Sequence, residues 1–139
     1  MNTSGFTPLQ GWGIAIIRVV VGIVFLMHGG QKLFVWGFGG VAAFMGRVGI
    51  PAPMLAAVVV TLVEFLGGLG LVLGLFTRWL AIPLAIDMLV AISAVHLRGG
   101  FFLPNGYEFA LTLLATNAAL AFLGSGEVSV DNLLAGRQA

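Results

Sequence analysis

Four long apolar stretches, Gly11–Phe34, Met54–Phe76, Trp79–Leu97 and Tyr107–Leu123, make up most of this chain. A helix crossing the hydrocarbon of a membrane needs about 20 mostly apolar residues, and each stretch meets or approaches that length. Inside lipid every backbone N–H and C=O must find a partner within the protein, which restricts such stretches to helices. The spacing predicts an all-α membrane protein, a four-transmembrane-helix up-down bundle forming one domain over residues 1–139, with both termini on one side. Composition agrees. Only 8% of the residues are charged, against roughly 25% in a soluble domain, and the mean hydropathy is +1.12.

The connections sharpen the picture. Thr77-Arg78 is a tight turn that makes spans two and three antiparallel neighbours. Between spans one and two, glycines and Pro51/Pro53 bracket an amphipathic piece, Val41–Val48, expected to lie as a short helix along the interface. RGGFFLPNG is a turn-rich loop, and the tail after Gly124 is polar and expected to end in water. Trp12 and Trp79 would mark one headgroup level, Trp36 and Tyr107 the other. The N-terminal residues lack a basic n-region, so span one reads as retained rather than as a signal peptide. Lys32, Arg47 and Arg98 against Arg78 and Arg137 give too small a bias to orient the chain.

Five ionisable residues, Arg18, His28, Glu64, Asp87 and Glu108, interrupt the apolar stretches. A charge at such depth costs several kcal/mol unless partnered, so these groups should meet along an interior seam. Helical spacing places them on stripes of small or polar residues. The stripes are Arg18/Gly22/Phe25/Gly29/Lys32, Ala57/Thr61/Glu64/Gly68, Pro83/Asp87/Ala91/Ala94 and Glu108/Thr112/Ala115/Ala119. Counted along the helices from the terminal side, Arg18, Asp87 and Glu64 lie at about 10, 12 and 18 Å. That predicts a buried charge cluster of Arg18, Glu64 and Asp87, whose one excess negative charge a held proton would balance. His28, His96 and Glu108 fall at about 24–25 Å, with Lys32 one turn beyond, and form a candidate ligand or proton pocket. The competing readings are a structural ion-pair network that fixes helix register, and basic side chains that reach out to headgroups.

Other chemistry is excluded or disfavoured. The chain has no cysteine, which removes thiolate and Fe–S ligation by its own side chains. No phosphate-cradling loop, Ser–His–Asp set or metal-spaced ligand cluster is present. A net charge of +1 carries no nucleic-acid footprint. His28 and His96 share a height, but spans one and three sit diagonally in an up-down bundle, which disfavours haem. Gly70-x-x-x-Gly74 suits close packing, within the bundle or between copies.

Together, Arg18-x3-Gly22-x2-Phe25-Leu26-x-His28-Gly29-x2-Lys32, Gly49-x-Pro51, Glu64-x2-Gly67-Gly68, Gly74-x2-Thr77-Arg78, His96, Glu108 and Gly124-x-Gly126-x2-Ser129-x-Asp131 form an ordered set over nearly the whole chain. This set resembles the DoxX family of small bacterial membrane proteins. Ser125 departs from it, standing where proline is expected. The resemblance implies a multi-pass protein of the bacterial inner membrane. It is similar to the small membrane subunit of an archaeal thiosulfate:quinone oxidoreductase, with links to oxidative-stress and thiol-redox complexes. The leading expectation is a small subunit or accessory of a membrane redox, quinone-linked complex, or a homo-oligomer; the sequence names no cofactor, quinone being the candidate, and any oxidoreductase activity would need a partner subunit. A proton-coupled small-solute transporter and a structural scaffold are the alternatives.

Overall fold

The computed structural model describes residues 7–136, and all regular structure among them is helical. Arg137 and the segment before Thr7 lie outside the described residues. Helix α1 (Pro8–Gly30) opens on a capping box. The Thr7 hydroxyl accepts from Gln10 N, the Gln10 side chain accepts from Thr7 N, and Pro8 fills a position that needs no N–H. The chain continues through a π-helical stretch, Gln31–Trp36, and kinks at Gly37 (φ 66°) into α2, Gly37–Arg47. Only glycine takes that φ cheaply. Then follow α3 (Pro53–Leu73), α4 (Thr77–Ala91) and α5 (Glu108–Leu123). A π-helical turn, Ile92–His96, and a short 3-10 turn extend α4, and α6 (Val130–Gly136) ends the described chain.

Pro8–Arg47, Pro53–Leu73 and Thr77–Gly99 are long and apolar enough to cross a membrane, while α5 is a shorter apolar helix of 16 residues. The expected helix between spans one and two exists as α2, longer at its start than Val41–Val48. It tucks Val41, Ala42 and Met45 against Ala57 and Val60 of α3.

The bundle is built from two close pairs, α1 with α3 and α4 with α5, with α3 also touching α4. Glycine explains the first pair. A Cβ at Gly22 would strike the α3 backbone at Val72 and Gly68, one at Gly29 would strike Phe65, and one at Gly68 would strike Leu26 of α1. The two backbones touch directly, which is how helices pack in lipid without a hydrophobic drive. Gly70 faces Leu80, and Gly74 faces Arg18 and Ser129. The Gly70-x-x-x-Gly74 stripe is therefore spent inside this chain rather than on a second copy.

The tail departs from expectation. Instead of running free into water it docks on the bundle. Arg18, 2% exposed, donates to the carbonyls of Ser125 and Val128. Glu127 N donates to Gly11 O (3.0 Å) and Asp131 N to Gly74 O (2.9 Å). The Asp131 carboxylate accepts from Phe76 N (2.7 Å) and Thr77 N (3.1 Å), capping α4 although it lies some fifty residues away in sequence. This cap also holds Phe76 at φ 51°, a left-handed backbone that costs a non-glycine residue roughly 1–2 kcal/mol. Asp131→Ala is expected to cost about 1–2 kcal/mol and to make the tail the first site of cleavage. Limited proteolysis of the detergent-solubilised protein, read by mass spectrometry, checks this.

Candidate functional site

Register decides which charges meet. Arg18 lies beside Gly74, level with the corner where α3 ends. Gly29 lies beside Glu64 and Phe65. Arg18 is therefore level with a position ten residues along α3 from Glu64. Arg18 stands roughly 15 Å from Glu64 along the helices. The expected Arg18/Glu64/Asp87 cluster does not form, because Arg18 is consumed by the tail carbonyls.

Lys32 takes its place. Its ammonium donates to Glu64 Oε2 at 2.6 Å, with both side chains largely buried. This is the single ion pair among the described residues. Asp87 on α4 lies beside Glu64 and within electrostatic reach of Lys32, and its Oδ2 is buried without a hydrogen-bond partner among the described residues. One cation thus faces two carboxylates in apolar surroundings. A proton or an external donor would complete the arrangement. Lys32 sits in the π-helical stretch after α1. Such an expanded turn shifts the following side chains around the axis, a feature frequent at functional sites.

The three groups line a cavity of about 370 Å³, within the range of small-molecule sites. Its remaining wall is mostly apolar, with Val24 and Phe25 from α1, Val60 from α3, and Leu113 from α5. Trp36 and Phe44 close one side, and Leu103, Pro104 and Gly106 of the loop before α5 close another. His28 and His96 also line it. His96 Nδ1 is 3.4 Å from Asn105 O, and the His28 ring tilts against Phe109. The two expected levels therefore merge into one site holding Lys32, Glu64, Asp87, His28 and His96, without Arg18.

Glu108 is also absent from the site. Its carboxylate accepts from Leu103 N at 2.7 Å and braces the loop instead. The whole α5 seam is reversed: Thr112, Ala115 and Ala119 face outward, while Ala110, Leu113, Asn117 and Leu120 are buried. The reason is local. Thr112 and Thr116 hydroxyls donate to carbonyls one turn back, at 2.9 and 2.7 Å, so neither needs an interior partner. On α4 the buried face is Thr77, Ala81, Leu84 and Met88. The expected stripe from Pro83 to Ala94 is only half-buried.

The sequence reading missed the Lys32–Glu64 pair, buried Asn117, and the share of α2 and the loop in the cavity wall. One signal was available. Setting Gly22 and Gly29 against Gly68, as close packing favours, points to a register in which Lys32 approaches Glu64.

The DoxX family profile matches residues 13–97. A protein of Bacillus subtilis (strain 168) named "Putative oxidoreductase CatD" is 34% identical over 119 residues, covering 86% of this chain and 84% of its own. An uncharacterized membrane protein of Mycobacterium tuberculosis, Rv3486, is 38% identical over 135 residues, covering 89% and 82%. Inner membrane protein YphA of Escherichia coli (strain K12) is 32% identical over 124 residues, covering 85% and 87%. No solved structure matches the chain. With its long apolar helices, the chain is likewise an inner-membrane protein.

Proposed function

Because this chain belongs to the DoxX family, we propose that it is an accessory subunit of a quinone-linked redox complex and holds the quinone headgroup beside Lys32, Glu64 and Asp87. The observation that carries this reading is the Lys32–Glu64 pair, with Asp87 beside it, set in an otherwise apolar cavity. A quinone ring is flat and apolar, with two carbonyl oxygens that accept hydrogen bonds. Lys32 has three N–H donors and directs one at Glu64, leaving donors for a carbonyl. Asp87 offers a carboxyl that can carry the proton required when the ring is reduced. The aromatic wall of Phe25, Phe44, Trp36 and Phe109 suits a flat ring.

In this reading all four long helices cross the bilayer, α5 covering about 24 Å and relying on its flanking loop for the rest. The chain has no cysteine, so the electrons come from a partner protein. The relative named "Putative oxidoreductase CatD", 34% identical, supports the class of chemistry.

The test uses purified protein in lipid nanodiscs. Organic extraction is expected to release quinone, and added quinone to quench Trp36 in a Trp12→Phe/Trp79→Phe background that keeps it as the sole tryptophan. The Lys32→Met/Glu64→Gln double variant, which removes the ion pair as a unit, is expected to weaken binding about tenfold or more, the worth of roughly 1.4 kcal/mol. Wild-type protein that neither carries nor binds quinone would overturn the proposal. Solute flux into proteoliposomes that depends on Asp87 would replace it with the transport reading.

A further inference from the structure

Two sides of the cavity are closed in different ways. Towards the loop, Leu103, Pro104 and Gly106 cover it, and that loop is strapped by its own hydrogen bonds. Tyr107 N donates to Gly100 O, Glu108 N to Phe101 O, and Leu103 N to the Glu108 carboxylate. Towards the lipid, between α1 and α5, the wall is made by His28 and Phe109. Both line the cavity, and both are exposed rather than packed under a neighbouring helix. Their ring centroids are 6.4 Å apart and tilted by 40°, near the outer limit of aromatic contact. No hydrogen bond joins them. This is also the seam between the two close helix pairs, for α1 touches α5 far less than it touches α3.

We propose that this seam is a lateral portal, with His28 and Phe109 as its gate, through which the headgroup of a lipid-dissolved, long-tailed quinone enters while its tail remains between α1 and α5. The inference rests on the quinone reading and adds the route, the gate and the class of quinone. Depth supports it. Counted from the corner at Gly74 and Gly124, His28 lies roughly 15 Å up α1 and Phe109 roughly 22 Å up α5, so the seam runs from the middle of a hydrocarbon layer of about 30 Å to just below the headgroup level expected at Tyr107. Volume supports it too. A cavity of about 370 Å³ accommodates a ring but not a long isoprenoid chain, so the tail must leave through an opening that faces lipid. Passage needs only side-chain rotation of two rings, with no rearrangement of the strapped loop.

The chain has no cysteine, so His28→Cys/Phe109→Cys creates a unique pair. A short bifunctional thiol reagent is applied to this variant in nanodiscs, alone, with a long-tailed quinone, or with a tail-less quinone, both fully substituted on the ring so that no position is open to addition of a thiol. Quinone binding is followed in parallel by Trp36 quenching. A tail lying between the cysteines is expected to lower the cross-linking yield severalfold, while the tail-less ring leaves it unchanged. Cross-linking first is expected to slow binding of the long-tailed quinone at least tenfold. Long-tailed quinone that binds normally after cross-linking, entering for instance past exposed Val90 on α4, overturns the portal and leaves the quinone site standing. Wild-type protein that binds neither quinone overturns the quinone reading and the portal with it, and the cysteine variant is scored against its own binding before cross-linking. Phe109→Ala opens the seam without a cross-link, and is expected to speed association of the long-tailed quinone severalfold. An unchanged rate counts against the gate.

Discussion

Replacing Lys32 with methionine is expected to destabilise the protein by about 3–5 kcal/mol, and adding Glu64→Gln to the same chain is expected to return most of that loss. The asymmetry follows from burial. Glu64 is 4% exposed and its carboxylate has Lys32 as its ion-pair partner. Removing Lys32 leaves two adjacent carboxyls, Glu64 and Asp87, with no cation beside them. An uncompensated charge inside the protein costs more than the pair contributes, because forming the pair already consumed most of its Coulomb energy in desolvation. The double variant replaces the pair by neutral groups of similar size and removes that penalty. Thermal melting in detergent, followed by size-exclusion chromatography, reads both changes. A double variant no more stable than Lys32→Met would show that the two side chains do not act as a unit.

Gly68→Leu is expected to be the most damaging change at the α1–α3 contact, costing about 3 kcal/mol or more. Its side chain would be driven into the Leu26 backbone of α1, and a backbone cannot rotate aside as a side chain can. Separating α1 from α3 would also pull Lys32 away from Glu64, so loss of stability and loss of quinone binding should coincide. Gly13→Ala is the control. It lies on α1, nothing stands within 4 Å of the added methyl, and its melting temperature should equal or slightly exceed the wild type, because alanine favours a helix interior over glycine. Equal stability for Gly68→Leu and Gly13→Ala would contradict the direct backbone contact.

The helices were legible because the bilayer imposes a length. The four expected spans start and end within a few residues of α1 with its π-helical extension, α3, α4 with its extension, and α5. Individual side chains were less legible where lipid removes the usual signal. In water an amphipathic pattern shows which face of a helix is buried, whereas in lipid both faces of α5 are apolar and the pattern is mute. Asn117 is fully buried there and the threonines face out, the reverse of what a polar-inward rule gives. The tail misled for a related reason. GSGEVSVDN reads as solvated, yet Asp131 and the carbonyls of Ser125 and Val128 satisfy helix ends and a buried guanidinium that would otherwise lack partners.

Hydropathy by itself determined that this chain lives in a membrane, that it is helical, and roughly where its long helices run, because the thickness of hydrocarbon and the need to pair every amide leave little freedom. The glycine and charge pattern further pointed to its family. Axial register was settled only in three dimensions. Which cation reaches Glu64 depends on how far α1 slides along α3, a sum of glycine contacts, tail docking and the kink at Gly37 that no single stretch of sequence encodes. That slide carries Arg18 to the tail and Lys32 to the carboxylates, and so places the polar group of the cavity where it stands.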